Sequence, residues 1–144
     1  MIFFQNSLIK NIQPNSSSYT IWRTIEFAAM TIEDIETICD QFTAVTKDIK
    51  WEDHLCFNVG GKMFLITTPD AFPPNASFKV TAEEYEELAA RDGFKPAPHL
   101  ARYKWVHVED ISRLNKREWE HDARQSYTLV VAKLPLKLKN QLSL

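Results

Sequence analysis

The chain has 144 residues but only three glycines and two cysteines. Neither Cys39 nor Cys56 belongs to a CxxC pair, and no Cys/His cluster has zinc-ligand spacing. That argues against a zinc-built domain or a redox dithiol, and both thiols are expected to be free and buried. No apolar run approaches the ~20 residues needed to span a bilayer. The opening MIFFQNSLIK lacks an early basic region and a small-residue cleavage site. The expectation is a cytoplasmic protein with no membrane association. No glycines flank Ser126 as a nucleophile elbow would require. There is no internal repeat and no helix-turn-helix, zinc-finger or RNP signature.

What is present is enough for one domain. Hydrophobic residues make up 44% of the chain and aromatic residues 12%, ordinary values for a globular core without a metal or disulfide staple. The net charge of −2 conceals an asymmetry. Thr31 to Pro98 carries six Lys/Arg against thirteen Asp/Glu, whereas His99 to Leu144 carries nine against five. A basic C-terminal third can attract polyanions even in a mildly acidic protein.

Residues 1–29 read as a variable, poorly ordered extension: NIQPNSSSY is polar and has neither the helical nor the strand period. From Met30 the pattern sharpens. Thr31 and Asp34 form a capping-box pair ahead of Ile32, Ile35, Ile38, Cys39 and Phe42, which predicts a helix to Phe42. TAVTKDIKWED is a connector or a weak strand. LCFNV and KMFLITT flank Gly60-Gly61, the signal for a hairpin with a tight turn. A Pro-rich loop, PDAFPPNA, then leads into a strand at Ser77 to Val80. Thr81 and Glu84 start a second helix that Gly93 stops. A strand follows at Arg102 to Val108. Its alternation places Tyr103, Trp105 and His107 on one face and Arg102 and Lys104 on the other. Trp119, Ala123, Tyr127, Val130 and Leu134 form the stripe of a last helix over Asn115 to Lys133, ended by Pro135. The order α-β-β-β-α-β-α predicts an α+β domain over 30–139, a mostly antiparallel sheet with helices packed on one face; the closing stretch LKLKNQLSL is basic and expected to fray, with 140–144 a frayed tail.

Three of these stretches, FNVGGKMF, PHLARYKWVHV and SYTLVVAKLP, resemble in order the motifs of the MmcQ/YjbR family. The resemblance spans Met30 to Lys139. One departure is Ala101, where many members carry Asn. The resemblance implies a CyaY-like fold of the double-wing DNA-binding type, and it brings no catalytic residues with it.

Several binding chemistries follow for a module without a catalytic group, a cofactor or a metal, monomeric by default. DNA as partner requires phosphate-neutralising cations: Lys62 at the hairpin, Arg102 and Lys104 on the late strand, and Arg113, Lys116, Arg117 and Arg124 around the last helix. Arg117 and Arg124, seven residues apart, are expected to share a helix face. A protein or ligand partner would instead use aromatic anchors on an exposed sheet face, Tyr103, Trp105 and His107. Likeness to the frataxin fold raises weak metal binding through Glu33, Asp34, Glu36 and Asp40 of the first helix. His54 and Cys56 share a strand face, but no third group completes a nucleophilic site. Ser126 is expected to bond back to its own helix.

Overall fold

The computed structural model describes residues 30–144; the extension expected over 1–29 lies outside the described residues. Helix α1 is Ile32–Cys39, capped as its sequence predicts: Thr31 accepts from the Asp34 amide and Asp34 accepts from the Thr31 amide. Strands β1 (Val45–Lys50), β2 (His54–Val59), β3 (Lys62–Thr68) and β4 (Asn75–Lys79) follow as an antiparallel meander. Gly60 and Gly61, at φ of +58° and +79°, make the tight β2–β3 turn. Helix α2 is Ala82–Ala89, strand β5 is Phe94–Pro96 and strand β6 is Trp105–Val108. Helix α3 runs Lys116–Ala132, with Asn115 and Glu118 forming its capping box, and α4 is Leu136–Gln141. The sheet order is β1-β2-β3-β4-β6-β5, antiparallel throughout.

The main core lies between one sheet face and helices α1, α2 and α3. Ile35, Phe57, Phe78, Val106 and Trp119 are fully buried there. Burying a side chain of this size stabilises the fold by about 1.5–3 kcal/mol. Trp119 also satisfies its indole N–H, donating to the Ile111 carbonyl at 2.8 Å. A bulge at Phe57/Asn58 opposes Leu65 to Phe57 and Met63 to Asn58, so that Phe64 and Leu65 both enter this core. The opposite face carries a smaller cluster, Cys56, Ile66, Ala97 and Trp105. Both cysteines are free and buried.

Several elements differ from the sequence expectation. Of the two alternatives for TAVTKDIKWED the strand holds, as the edge strand β1, whereas FKPAP, expected as a link, contributes β5. The tail does not simply fray: Leu136–Gln141 is helical, and Leu138 and Leu144 pack on the core. The late strand begins at Trp105, not Arg102. Ala101–Tyr103 is a 3-10 turn closed by the Lys104 amide donating to the Ala101 carbonyl, and Lys104 sits at φ +68°. Period-two alternation therefore does not apply to Arg102, Tyr103 or Lys104, and the expected aromatic face dissolves. Tyr103 is off the strand, Trp105 is buried, and only His107 remains partly open on the sheet.

Candidate functional site

Tracing the chain direction through the sheet assigns each cation to one of two ends. The β2–β3 turn, the end of β4, the Ala101–Tyr103 turn and the C-terminus of α3 all meet at one end. Contacts fix this placement. A Cβ on Gly60 would stand 2.8 Å from Leu134, just past α3, and 3.2 Å from Leu138 in α4. The Lys79 amide donates to Ser126 of α3 at 2.9 Å, and its ammonium donates to the Tyr103 carbonyl. The Val80 amide donates to the Lys104 carbonyl at 2.9 Å. Lys62, Lys79, Arg102, Lys104, Lys133 and Lys137 thus belong to this one end. None of them forms an ion pair among the described residues. Burial, and then the charge of Lys133, hold the Lys79 ammonium below the usual lysine range.

The seven cations expected from sequence therefore divide. Lys62, Arg102 and Lys104 lie at the basic end. Arg102 stacks on the Tyr103 ring at 4.8 Å, and the Lys104 ammonium stands 4.8 Å from the centre of the Tyr85 ring. Arg113, Lys116 and Arg117 lie at the far end of the 17-residue helix α3, about 25 Å away at 1.5 Å per residue. Arg113 folds over Gly93 and pairs with Asp92 at 3.1 Å. Arg117 and Arg124, though two turns apart, divide between neighbours. Arg117 lines a groove against α2 shared with Glu84, Glu87, Glu118 and Asp122, whereas Arg124 lies 4.4 Å from the centre of the Phe42 ring. Four carboxylates and Arg91 share that groove with Arg117, so its surroundings are of mixed charge. Lys79, Lys133 and Lys137 join Lys62, Arg102 and Lys104 at the basic end, from outside the late strand, the hairpin and the body of the last helix. Lys79 ends β4, Lys133 caps the C-terminus of α3 and Lys137 lies in the first turn of α4.

The open face of the sheet holds a second feature. Beside the Cys56–Trp105 cluster is a groove of about 520 Å³. Trp51 and His54 stand on one side, with ring centres 5.6 Å apart and perpendicular planes. His99 and Leu100 close another side. On its floor Ser77 and His107 are cross-strand partners, joined at 2.9 Å between Ser77 Oγ and His107 Nδ1. Burial, followed by the charge of Lys95, holds the His107 imidazole below its ordinary pKa. None of the groove's lining residues is Lys, Arg, Asp or Glu.

The acidic first helix uses its carboxylates locally. Asp34 caps it, while Glu36 and Asp40 hold Lys47 at 2.7 and 3.1 Å. Among the described residues no three His, Cys, Asp or Glu side chains gather into a metal-binding group. Ser126 does not bond back to its helix: its hydroxyl donates to the Phe64 carbonyl and accepts from the Lys79 amide. No helix among the described residues is long and apolar enough to cross a membrane.

Comparison with known proteins agrees with this architecture. The crystal structure of Deinococcus radiodurans protein DR2400, which carries a DUF419 domain, superposes with a TM-score of 0.73 at 26% identity, covering 81% of this chain and 91% of that one. A crystal structure of a Pseudomonas syringae protein matches with a TM-score of 0.57 at 18% identity over 69% of this chain and 98% of that one, a likeness of fold. No curated protein matched. The YjbR family model matches residues 40–129. With more than half the sequence inside that match and the same α+β fold, the chain belongs to the YjbR family.

Proposed function

We propose that this domain is a non-enzymatic cytoplasmic binding module that holds duplex DNA by its phosphates, through the basic end of the sheet. The observation that supports this reading is the convergence of Lys62, Lys79, Arg102, Lys133 and Lys137 from separate elements onto one end, with no ion-pair partner among the described residues. Cations left unpaired in the free protein are the ones that release counterions when phosphates approach. Arg113 contributes less because it pairs with Asp92, and Arg117 contributes less because it lies at the far end of α3, in a groove that four carboxylates also line. Phosphate contacts carry no sequence information, so binding through them is of the sequence-independent kind.

The test is a salt titration of duplex binding, comparing the wild type with the double variant Lys62→Glu, Lys133→Glu and with Arg117→Glu. The expected result is affinity that falls as salt rises, lost in the double variant and retained in Arg117→Glu. Binding that is absent at low salt, indifferent to salt, or unchanged in the double variant overturns the reading.

A further inference from the structure

The groove on the open sheet face is built differently from the basic end, and it uses none of the same side chains. Its volume of about 520 Å³ is in the range of small-molecule sites. No lining side chain is Asp or Glu, so a cation placed inside would lose its hydration without gaining a carboxylate partner. The walls favour a flat ring. Trp51 is 63% exposed beside the opening, His54 stands edge-on to it, and His99 and Leu100 face them across the groove. The floor supplies direction. With Ser77 bonded to Nδ1, the free ring nitrogen of His107 is a donor or an acceptor according to the tautomer.

Trp51 and His99 are held by loop backbone at φ of +51° and +66°. Trp51 shares the left-handed region with Glu52 in the β1–β2 turn, and Ala44, Lys104 and Ser143 adopt it away from the groove, so this backbone fixes where the two rings stand and does not by itself mark a ligand clamp.

We propose that this groove binds one uncharged, planar heteroaromatic ring, stacked on Trp51 and hydrogen-bonded to the Ser77–His107 pair. A nucleobase and an indole share that chemistry. The ring's source is either a free small molecule or an unstacked base of single-stranded DNA.

The experiment is an NMR titration of the full chain with millimolar adenosine, and in parallel with 1-methyladenosine, whose ring carries a positive charge. Saturable shifts are expected at Trp51, Ser77, His99, Leu100 and His107. The cationic ring should bind at least about tenfold more weakly. Trp51→Ala, a change at an exposed position, should weaken adenosine about five- to 150-fold, the loss of one stacking contact. Absent shifts, shifts confined to the helical face, equal binding of the cationic ring, or an unaffected Trp51→Ala each overturn the proposal. A single-stranded oligodeoxyadenylate distinguishes the two sources. Shifts at the same residues assign the ring to nucleic acid, and shifts with adenosine alone assign it to a free ligand. Duplex binding in the Trp51→Ala variant reports separately on the basic end, so either reading can fail without the other.

Discussion

The hydroxyl of Ser126, buried in the middle of α3, accepts a hydrogen bond from the backbone amide of Lys79 at 2.9 Å. It also donates to the Phe64 carbonyl, so one side chain joins the helix to the bulge in β3 and to the end of β4. Ser126→Ala leaves that amide and that carbonyl buried with one partner fewer. The expected loss is about 1–3 kcal/mol. Urea denaturation should show a lower midpoint with an unchanged slope. A midpoint like that of the wild type would mean that water or another group replaces the hydroxyl.

The two hairpin glycines should respond unequally to alanine. Both require positive φ, but a Cβ at Gly60 would meet Leu134 at 2.8 Å, whereas one at Gly61 meets nothing within 4 Å. Gly61→Ala should cost about 1–2 kcal/mol from backbone strain alone. Gly60→Ala should cost more, because Leu134 must also move. Thermal melting of the two variants decides it, and equal losses would remove any role for the α3–turn contact.

His107 makes stability depend on pH. Its folded-state pKa lies below its ordinary value of 6.5, first because of burial and then because of Lys95, with a smaller contribution from His54 and with Glu109 acting against both. A group whose pKa is depressed by folding favours the fold above its unfolded pKa, and that contribution is lost as pH falls through the folded value. Denaturation midpoints should therefore drop as the pH falls below the ordinary value of 6.5, and His107→Asn should flatten that dependence. An NMR titration midpoint for His107 at or above the ordinary value would refute the sign.

Both thiols should be inert in the folded protein. Burial pushes Cys39 up to about 12 and Cys56 up to about 11, so neither forms appreciable thiolate at neutral pH. Alkylation by iodoacetamide should be slow in buffer and fast in denaturant. Rapid labelling of Cys56 in buffer would show that the open sheet face is reached by solvent more readily than its zero exposure implies.

If the basic end neutralises phosphates, each lysine removed should lower the slope of log affinity against log salt by about 0.9. Lys133→Ala and Lys62→Ala should each do so, and Lys116→Ala, at the other end of α3, should not. Equal effects from all three would indicate a diffuse field and no defined site.

Much of this was legible in the chain because it rests on local rules. Thr31 with Asp34 and Asn115 with Glu118 announce helix starts, since a capping box needs only two side chains three residues apart. Gly60-Gly61 announces the hairpin for the same reason. The stripe of Trp119, Ala123 and Tyr127 identifies the buried face of α3 by period alone. The family motifs added the overall plan.

What the chain did not disclose depends on which ends of elements meet. Lys79 closes a strand and Lys133 follows a helix 54 positions later, and no period connects them. They become neighbours because α3 packs antiparallel to α2 across the sheet and Ser126 sits on Lys79. Arg102 and Lys104 read as strand residues until the Ala101–Tyr103 turn and the left-handed Lys104 remove them from the pleat. Trp51, Ser77, His99 and His107 likewise come from four separate segments, and only the twist and order of the sheet make them one groove. The sequence by itself determined the capped helices, the glycine hairpin and their buried faces, because those are set within a few residues, whereas β5, α4 and the start of β6 were not among them. The basic end and the open-face groove were decided by tertiary structure, because each depends on the spatial meeting of segments whose separation along the chain carries no signal.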